Sequence, residues 1–121
     1  MVIIEDKENE KDSIAENFNL IIQDISHYDF SLAEYVKLSI GQIKTACGED
    51  SILVNKLIEK DNITKHRIEF FVKKETKTLY FIQEYYLEDK KAYVLTFTSE
   101  IEKKETYKIV SEKIFNSLKI N

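Results

Sequence analysis

The segment KAYVLTFTSEIEKKETYKIVSEKIFNSLKI, residues 91–120, decides the fold because it carries a strongly apolar strand almost directly into the last helix. Tyr93, Leu95 and Phe97 point to one side of this strand, and Val94 points to the other. An antiparallel strand with one face in water should be polar at alternate positions. Apolar residues on both sides therefore predict a sheet that is covered on both faces.

Four earlier stretches have the alternation and the β-branched content of strands. The last three are joined to one another, and to residue 91, by connections of a few residues, which permit only antiparallel pairing. Two of these strands are again apolar on both sides, at residues 70–72 and 79–82. The four predicted strands are residues 17–25, 53–60, 63–73 and 78–87.

A helix is predicted from Ser31 to a C-cap at Gly48, where a left-handed residue is expected. Ser31 and Glu34 have the spacing of a capping box, in which each side chain bonds the other residue's amide. Apolar and small residues recur at helical spacing and predict one buried stripe. The stripe contains Leu32, Tyr35, Val36, Ser39, Ile40, Ile43 and Cys47.

A second helix is predicted at the end of the chain. Ser99 and Glu102 offer another capping box, with a helix that begins there or several residues later. Its predicted buried stripe contains Tyr107, Val110, Ile114 and Leu118.

These elements predict an α+β fold: a twisted antiparallel β-sheet flanked by two main helices, one on each face. The length of 121 residues suits a single domain, 1–121. Within it, residues 1–16 are expected to form a short strand at 2–4 followed by an acidic loop.

Composition excludes several classes of function. Residues 1–16 carry six acids and two lysines, and the rest of the chain balances 16 acids with 16 bases, so there is no basic field for nucleic acid. No apolar run is long enough for a membrane span, and the N-terminus lacks the pattern of a signal peptide. As written, the chain is expected to be soluble and cytoplasmic, or an exported lipoprotein if the true N-terminus is longer.

Three segments resemble PsbP-like and DcrB-like proteins. ENFNLIIQDIS, residues 16–26, is similar to their N-x-x-V-x-x-Q-D strand, and SLAEYVKLSIGQIK, residues 31–44, resembles the helix that follows it and commonly opens with Leu-x-Glu-Tyr. Residues 91–120 resemble the closing strand and helix, with a Tyr-Val-Leu-Thr-Phe-Thr run. The resemblance covers nearly the whole chain, from about residue 5 to residue 120. Its motifs are structural rather than catalytic.

The resemblance implies an α/β/α sandwich of the type shared with eukaryotic Ran-binding import factors. Members of known action bind other proteins, namely photosystem subunits, a small GTPase or secretion effectors, and many bacterial members are lipoproteins. Family domains usually begin with a further hairpin that often contains proline and tryptophan, and this chain has neither residue. The N-terminal hairpin is therefore expected to be missing or shortened, which leaves an open sheet edge for a partner strand or a homodimer.

The sequence predicts no catalytic residue, no cofactor and no metal site. Cys47 lies on an apolar stripe and is expected to be a core or near-core thiol, not the nucleophile of a hydrolase with His27 or His66 as its base. The acids of residues 5–12 lack the glycine that a calcium loop needs. His66 and Arg67 are expected at an edge or in solvent, and Asn62 is expected in a turn rather than to carry a glycan.

The aromatic side chains of the central strands are the candidate partner-binding residues. Two-sided burial requires most of them in the core, but a tyrosine that no helix covers offers a large contact area with a polar tip. The pair Tyr85 and Tyr86, near a strand end, is the first choice. The full candidate set is Tyr85, Tyr86, Tyr80 and Phe71.

Two functional hypotheses follow from the sequence. The first is a non-enzymatic module that binds an unknown protein partner, as an adaptor or specialised chaperone. The alternative is a small-ligand-binding protein with a pocket between the sheet and a helix, which would be concave with a few convergent polar groups.

Overall fold

The computed structural model describes residues 16–60 and 62–117 of the chain. Five strands and two helices follow one another in the predicted order. They are β1 (Glu16–Asp24), α1 (Leu32–Cys47), β2 (Ile52–Lys60), β3 (Ile63–Lys74), β4 (Lys77–Glu88), β5 (Lys91–Glu100) and α2 (Lys108–Ser117).

The strands form one antiparallel sheet with the order β1-β5-β4-β3-β2. Leu20 lies opposite Leu95, Ile82 opposite Phe97, and Arg67 opposite Glu84. Alternate antiparallel neighbours make β1 and β2 parallel to each other at the two edges of the sheet. The chain therefore crosses one face between them, and α1 is that crossover.

Three two-residue connections turn the meander back on itself. Asn62, Glu75, Asp89 and Lys90 all have positive φ, at 65°, 34°, 51° and 61°. The consecutive positive values at Asp89 and Lys90 are those of the hairpin turns whose twist matches the strands. Asn62 thus lies in a turn, as predicted.

Helix α1 confirms the prediction made for it. The Ser31 hydroxyl accepts the Glu34 amide, and the Glu34 carboxylate accepts the Ser31 amide, so the capping box is complete. Gly48 has a φ of 112°, a conformation that L-residues rarely adopt, and its amide donates to the Lys44 carbonyl. The whole predicted stripe is buried or half-buried against the sheet.

Two apolar clusters lie on opposite faces of the sheet, because consecutive residues of one strand belong to different clusters. Leu95 packs in the α2-face cluster with Phe115 of α2, and Val94 packs in the α1-face cluster with Val36 of α1. Two-sided burial is confirmed, and with it the α+β sandwich.

The second helix begins several residues after Ser99, the later of the two predicted starts, and its predicted buried stripe is confirmed at Tyr107 and Ile114 but wrong at Val110. Ser99 lies inside β5 and its hydroxyl donates to the Glu100 carbonyl, so it caps nothing, and a short 3₁₀ turn follows at Ile101–Lys103. Helix α2 begins only at Lys108 and turns Ser111 and Phe115 inward, while Val110 is 52% exposed. Because the large ring of Phe115 fills the contact with the sheet, the most deeply buried positions of α2 are Ser111 and Phe115, each one residue after a position of the predicted stripe.

Some predictions lie outside the described residues: the strand at 2–4, most of the acidic loop, the shortened N-terminal hairpin and the burial of Leu118. Within the described residues, no helix is long and apolar enough to cross a membrane.

Candidate functional site

The four candidate aromatic residues differ in how deeply they are buried. Tyr80 and Tyr85 are only 5% and 3% exposed, since each lies under a helix in the central strand β4. Tyr86 and Phe71 are half-buried. Tyr80 and Tyr85 thus offer almost no surface to a partner in the folded protein, and the predicted contact narrows to Tyr86 and Phe71, for which it stays a prediction.

Tyr85 makes contacts that stabilise the fold. Its ring packs edge-on against Tyr35 of α1 with centroids 6.0 Å apart, and its hydroxyl donates to Gln83 Oε1. Burial raises the pKa of Tyr85 to about 12. This residue anchors α1 to the sheet.

The cysteine and histidines occupy separate, ordinary environments. Cys47 is half-buried and packs in the α1-face cluster, as expected of a near-core thiol. The ring of His66 bonds Asn55 Oδ1 across to β2, and burial lowers its pKa. His27 is exposed in the loop after β1. In the part of the chain that is described, no three His, Cys, Asp or Glu side chains group closely enough to hold a metal ion.

A groove of about 540 Å³ opens between α2 and the β2–β3 side of the sheet. It exists because α2 packs over β1, β5 and β4, where the α2-face cluster lies, and leaves the same face of β2 and β3 open. We call it the Arg67 groove. Its charged lining comprises six cations, Lys56, Lys60, Lys65, Arg67, Lys104 and Lys108, and four acids, Glu69, Glu84, Glu105 and Glu112.

Arg67 lies at the floor of the groove and is 5% exposed. Its Nε donates to Glu69 Oε2 at 2.8 Å and its Nη1 donates to Glu84 Oε2 at 2.8 Å. Both Nη atoms also donate to the carboxylate of Glu112 on α2, at 3.0 Å and 2.6 Å. Three acids from two strands and a helix thus share one guanidinium.

The neighbours of Arg67 complete this network. Lys65 Nζ lies 2.6 Å from Glu84 Oε1, and the Tyr80 hydroxyl donates to Glu69 Oε1. The guanidinium carbon also stands 5.3 Å from the centroid of the Phe115 ring, within cation–π range. The network therefore ties α2 to β3 and β4.

The local environment fixes the protonation states of two groups. Burial alone would lower the pKa of the Arg67 guanidinium, but hydrogen bonds with Glu69 and Glu112 outweigh it and raise that pKa. Burial, followed by the bond to Glu69, raises the pKa of the Tyr80 phenol above its ordinary value. Arg67 therefore stays charged and Tyr80 stays a neutral donor at physiological pH.

In contrast to the ion-paired floor, the rim of the groove consists of lysines. Lys56 and Lys60 are exposed on β2, and Lys108 is exposed at the start of α2. Lys104 Nζ lies 5.3 Å from the centroid of the Tyr80 ring. No carboxylate of residues 16–60 or 62–117 forms a salt bridge with any of these four lysines.

A smaller apolar niche of about 60 Å³ adjoins the groove and shares Ile63, Lys65, Glu84 and Phe115 with it. Tyr86 and Tyr93 also line this niche, and their rings lie 6.1 Å apart. Tyr86 is thus the one member of the predicted aromatic set that lies beside the groove without being buried in the core.

The chemistry of the groove is electrostatic. Three of its four acids form ion pairs with Arg67, and Tyr80 is a neutral hydrogen-bond donor. This network therefore contains no unpaired carboxylate or phenolate that could act as a base. The hydroxyl of Ser111, another lining residue, donates to the Lys108 carbonyl. These groups can attract and orient a charged ligand.

Comparison with known proteins supports the fold. No family model and no curated protein matches the chain. The solution structure of cyanobacterial PsbP (CyanoP) from Synechocystis sp. PCC 6803 does match, with a TM-score of 0.71 and 12% identity over 98% of this chain and 73% of that one. The fold is PsbP-like. The predicted resemblance to PsbP is thereby confirmed at the level of structure, and the DcrB-like part stays a prediction.

A second structure has the same PsbP-like fold. PA94 from Pseudomonas aeruginosa, a protein of unknown function, matches with a TM-score of 0.77 and 12% identity, over 88% of this chain and 73% of that one. At such identity, the two matches establish the fold and leave the partner and activity of this chain open.

Within this PsbP-like fold, the sequence interpretation missed Arg67. The expectation that Arg67 lies at an edge or in solvent is wrong, because β3 is an interior strand and α2 brings Glu112 over it. A signal was present in the sequence: Lys65, Arg67 and Glu69 occupy alternate positions of a strand predicted to be covered on both faces. Alternation places all three on one face, where a buried charge needs partners.

Proposed function

We propose that this protein is a non-catalytic binding module and that the Arg67 groove is its contact surface for a protein partner. The observation that carries this proposal is a preformed groove whose buried floor is an ion-pair network and whose rim has four lysines that form no salt bridge with a carboxylate of the described residues.

The buried floor is an inefficient way to gain stability. Taking Arg67 and Glu84 out of water costs several kcal/mol per ion, and apolar residues of similar volume often serve a core as well or better. The hydrogen bonds to Glu69, Glu84 and Glu112 do fix the shape of the floor. A rigid polar floor suits recognition, since less freedom is lost when a partner binds.

The rim supplies the complementary half of the site. The groove lining has an excess of two positive charges although the whole chain has a net charge of −4. Such a local field attracts acidic partners and speeds their association. A groove of about 540 Å³ accommodates a short segment of polypeptide. Adaptor and chaperone roles both consist of holding such a segment.

Site-specific photo-crosslinking tests this proposal. A photoreactive residue is placed at Lys104, on the rim of the groove, and in a matched variant at Lys37, on the exposed side of α1. We expect a defined protein to be cross-linked in the source cells from position 104 and not from position 37. Equal cross-linking from both positions, or none from position 104, would contradict the proposal.

A second candidate function is the binding of a small anionic ligand. The volume of the groove lies within the usual range for ligand sites, and the adjoining niche with Tyr86 and Tyr93 could receive an apolar moiety. Native mass spectrometry of protein purified from its source would then show a bound mass that is absent from a Lys104→Glu/Lys108→Glu variant. A wild-type protein with no added mass would count against this candidate.

A further inference from the structure

Strand β2 combines the Arg67 groove with an edge of the sheet. In the order β1-β5-β4-β3-β2, it pairs with β3 on one side, and no other described strand lies on its outer side. Its pairing with β3 is regular from Val54 to Lys60, after a register shift near Leu53. Edge strands of this kind present unpaired amides and carbonyls to solvent.

The two faces of β2 differ in chemistry. Lys56, Ile58 and Lys60 point into the Arg67 groove. Leu57 points to the opposite face and is 53% exposed. The side chains of a strand added beside β2 would therefore meet Lys56, Ile58 and Lys60 on the groove face. On the other face they would meet the exposed Leu57.

Charge decides which strand fits this edge. Two copies of β2 paired antiparallel about Ile58 would set Lys56 of one copy opposite Lys60 of the other, and like charges at facing positions are destabilising. Lysines on an edge strand protect it from such self-pairing. The same lysines attract a strand with acids at alternate positions, as do Lys104 and Lys108 across the groove.

We propose that β2 is the acceptor edge for an extended acidic segment of the partner, which adds to the sheet as a sixth strand. Glutamate or aspartate side chains of the segment lie over Lys56 and Lys60, and its alternate apolar side chains lie over Leu57. This inference rests on the proposed function, because it specifies how the partner enters the Arg67 groove.

The experiment uses a nine-residue peptide in which valine and glutamate alternate, equal in length to β2. Binding to the full chain is measured by fluorescence anisotropy, and the contact site is located from the backbone amide shifts of β2. We expect saturable binding that weakens about tenfold in Lys56→Glu/Lys60→Glu, since two ion pairs become two repulsions. Lys73→Glu/Lys74→Glu, an equal charge change at exposed positions of β3 outside the groove, should bind like the wild type.

Two peptide controls separate strand addition from plain charge attraction. A peptide methylated on every backbone nitrogen keeps its charges but has no amide left to donate to β2, so its binding should be lost. A peptide with lysine in place of glutamate should not bind either.

Three outcomes would overturn the inference. Equal binding of the N-methylated peptide would show contact without strand addition, which leaves the proposed function standing. Absence of binding by the glutamate peptide would refute the proposal that an acidic segment adds to β2. Sedimentation of the free chain as a dimer that Lys56→Glu alone strengthens, because it sets opposite charges at the facing positions 56 and 60, and that the peptide fails to displace would assign β2 to a second copy. Cross-linking from position 104 tests the groove independently of all three results.

Discussion

Replacement of Arg67 by methionine removes the guanidinium that Glu69, Glu84 and Glu112 share. Methionine keeps the length and apolar volume of the stem, so the change reports mainly on charge and hydrogen bonding. Glu84 is 7% exposed and cannot recover its hydration, whereas Glu112 is 39% exposed and can. Lys65 also remains 2.6 Å from Glu84.

These features set the expected magnitude. Removing one partner of a buried ion pair costs about 3–5 kcal/mol, because the other charge is left buried and uncompensated. The exposure of Glu112 and the retained Lys65 place Arg67→Met at the lower end, about 3 kcal/mol. That loss is a large fraction of a typical domain stability of about 5–15 kcal/mol, but it leaves a folded protein to measure.

Urea unfolding measures this cost from the midpoint at constant slope. Two further variants make the result specific. Lys77→Met removes a pair with Glu100 in which the lysine is 49% exposed, and should cost less than about 1 kcal/mol. Arg67→Met/Glu84→Gln removes a charge from each side, so it should be more stable than Arg67→Met alone, by about 1 kcal/mol or more. An Arg67→Met variant no less stable than Lys77→Met, or no recovery in the double variant, would refute the account of the network.

Three other outcomes are expected from the structure. Ser31→Ala removes the cap of α1 and should lower the free energy of unfolding by about 1 kcal/mol in urea titrations; an unchanged midpoint would show that the cap is dispensable. Phe115→Ala empties the contact between α2 and the sheet and should cost about 3–5 kcal/mol in the same assay, and a cost below 1 kcal/mol would mean that α2 is weakly attached. The pKa of Tyr85, raised by burial to about 12 from 10.0, makes its contribution complete below pH about 10 and lost as the pH rises through about 12. The unfolding midpoint should therefore fall less steeply over that range in Tyr85→Phe than in the wild type, and parallel slopes would contradict this.

Local patterns predicted the elements whose residues carry their own signals. Ser31, Glu34 and Gly48 bound α1 in sequence and in structure, since a cap bonds residues only a few positions away. The short connections of the meander allow only antiparallel pairing. Leu95 and Val94, adjacent yet both apolar, were enough to indicate two covers for one sheet.

The candidate site was less accessible to the same reasoning. Tyr85 and Tyr86 are adjacent and chemically identical, but one lies under α1 and the other beside the Arg67 groove. Their difference depends on where the helices cross the sheet. The capping pattern at Ser99 was also misleading, because Ser99 lies inside β5 and α2 begins only at Lys108.

Hydrophobic alternation and capping chemistry act over a few residues, so the sequence alone determined the five strands, the first helix and the burial of both faces. The rotation of α2, the burial of Arg67 and the groove beside it were decided only by tertiary structure. Arg67 and Glu112 are 45 positions apart, and their contact depends on strand order and on the path of α2 over the sheet. A charged side chain is buried only where packing brings its partners to it, and that packing involves the whole chain.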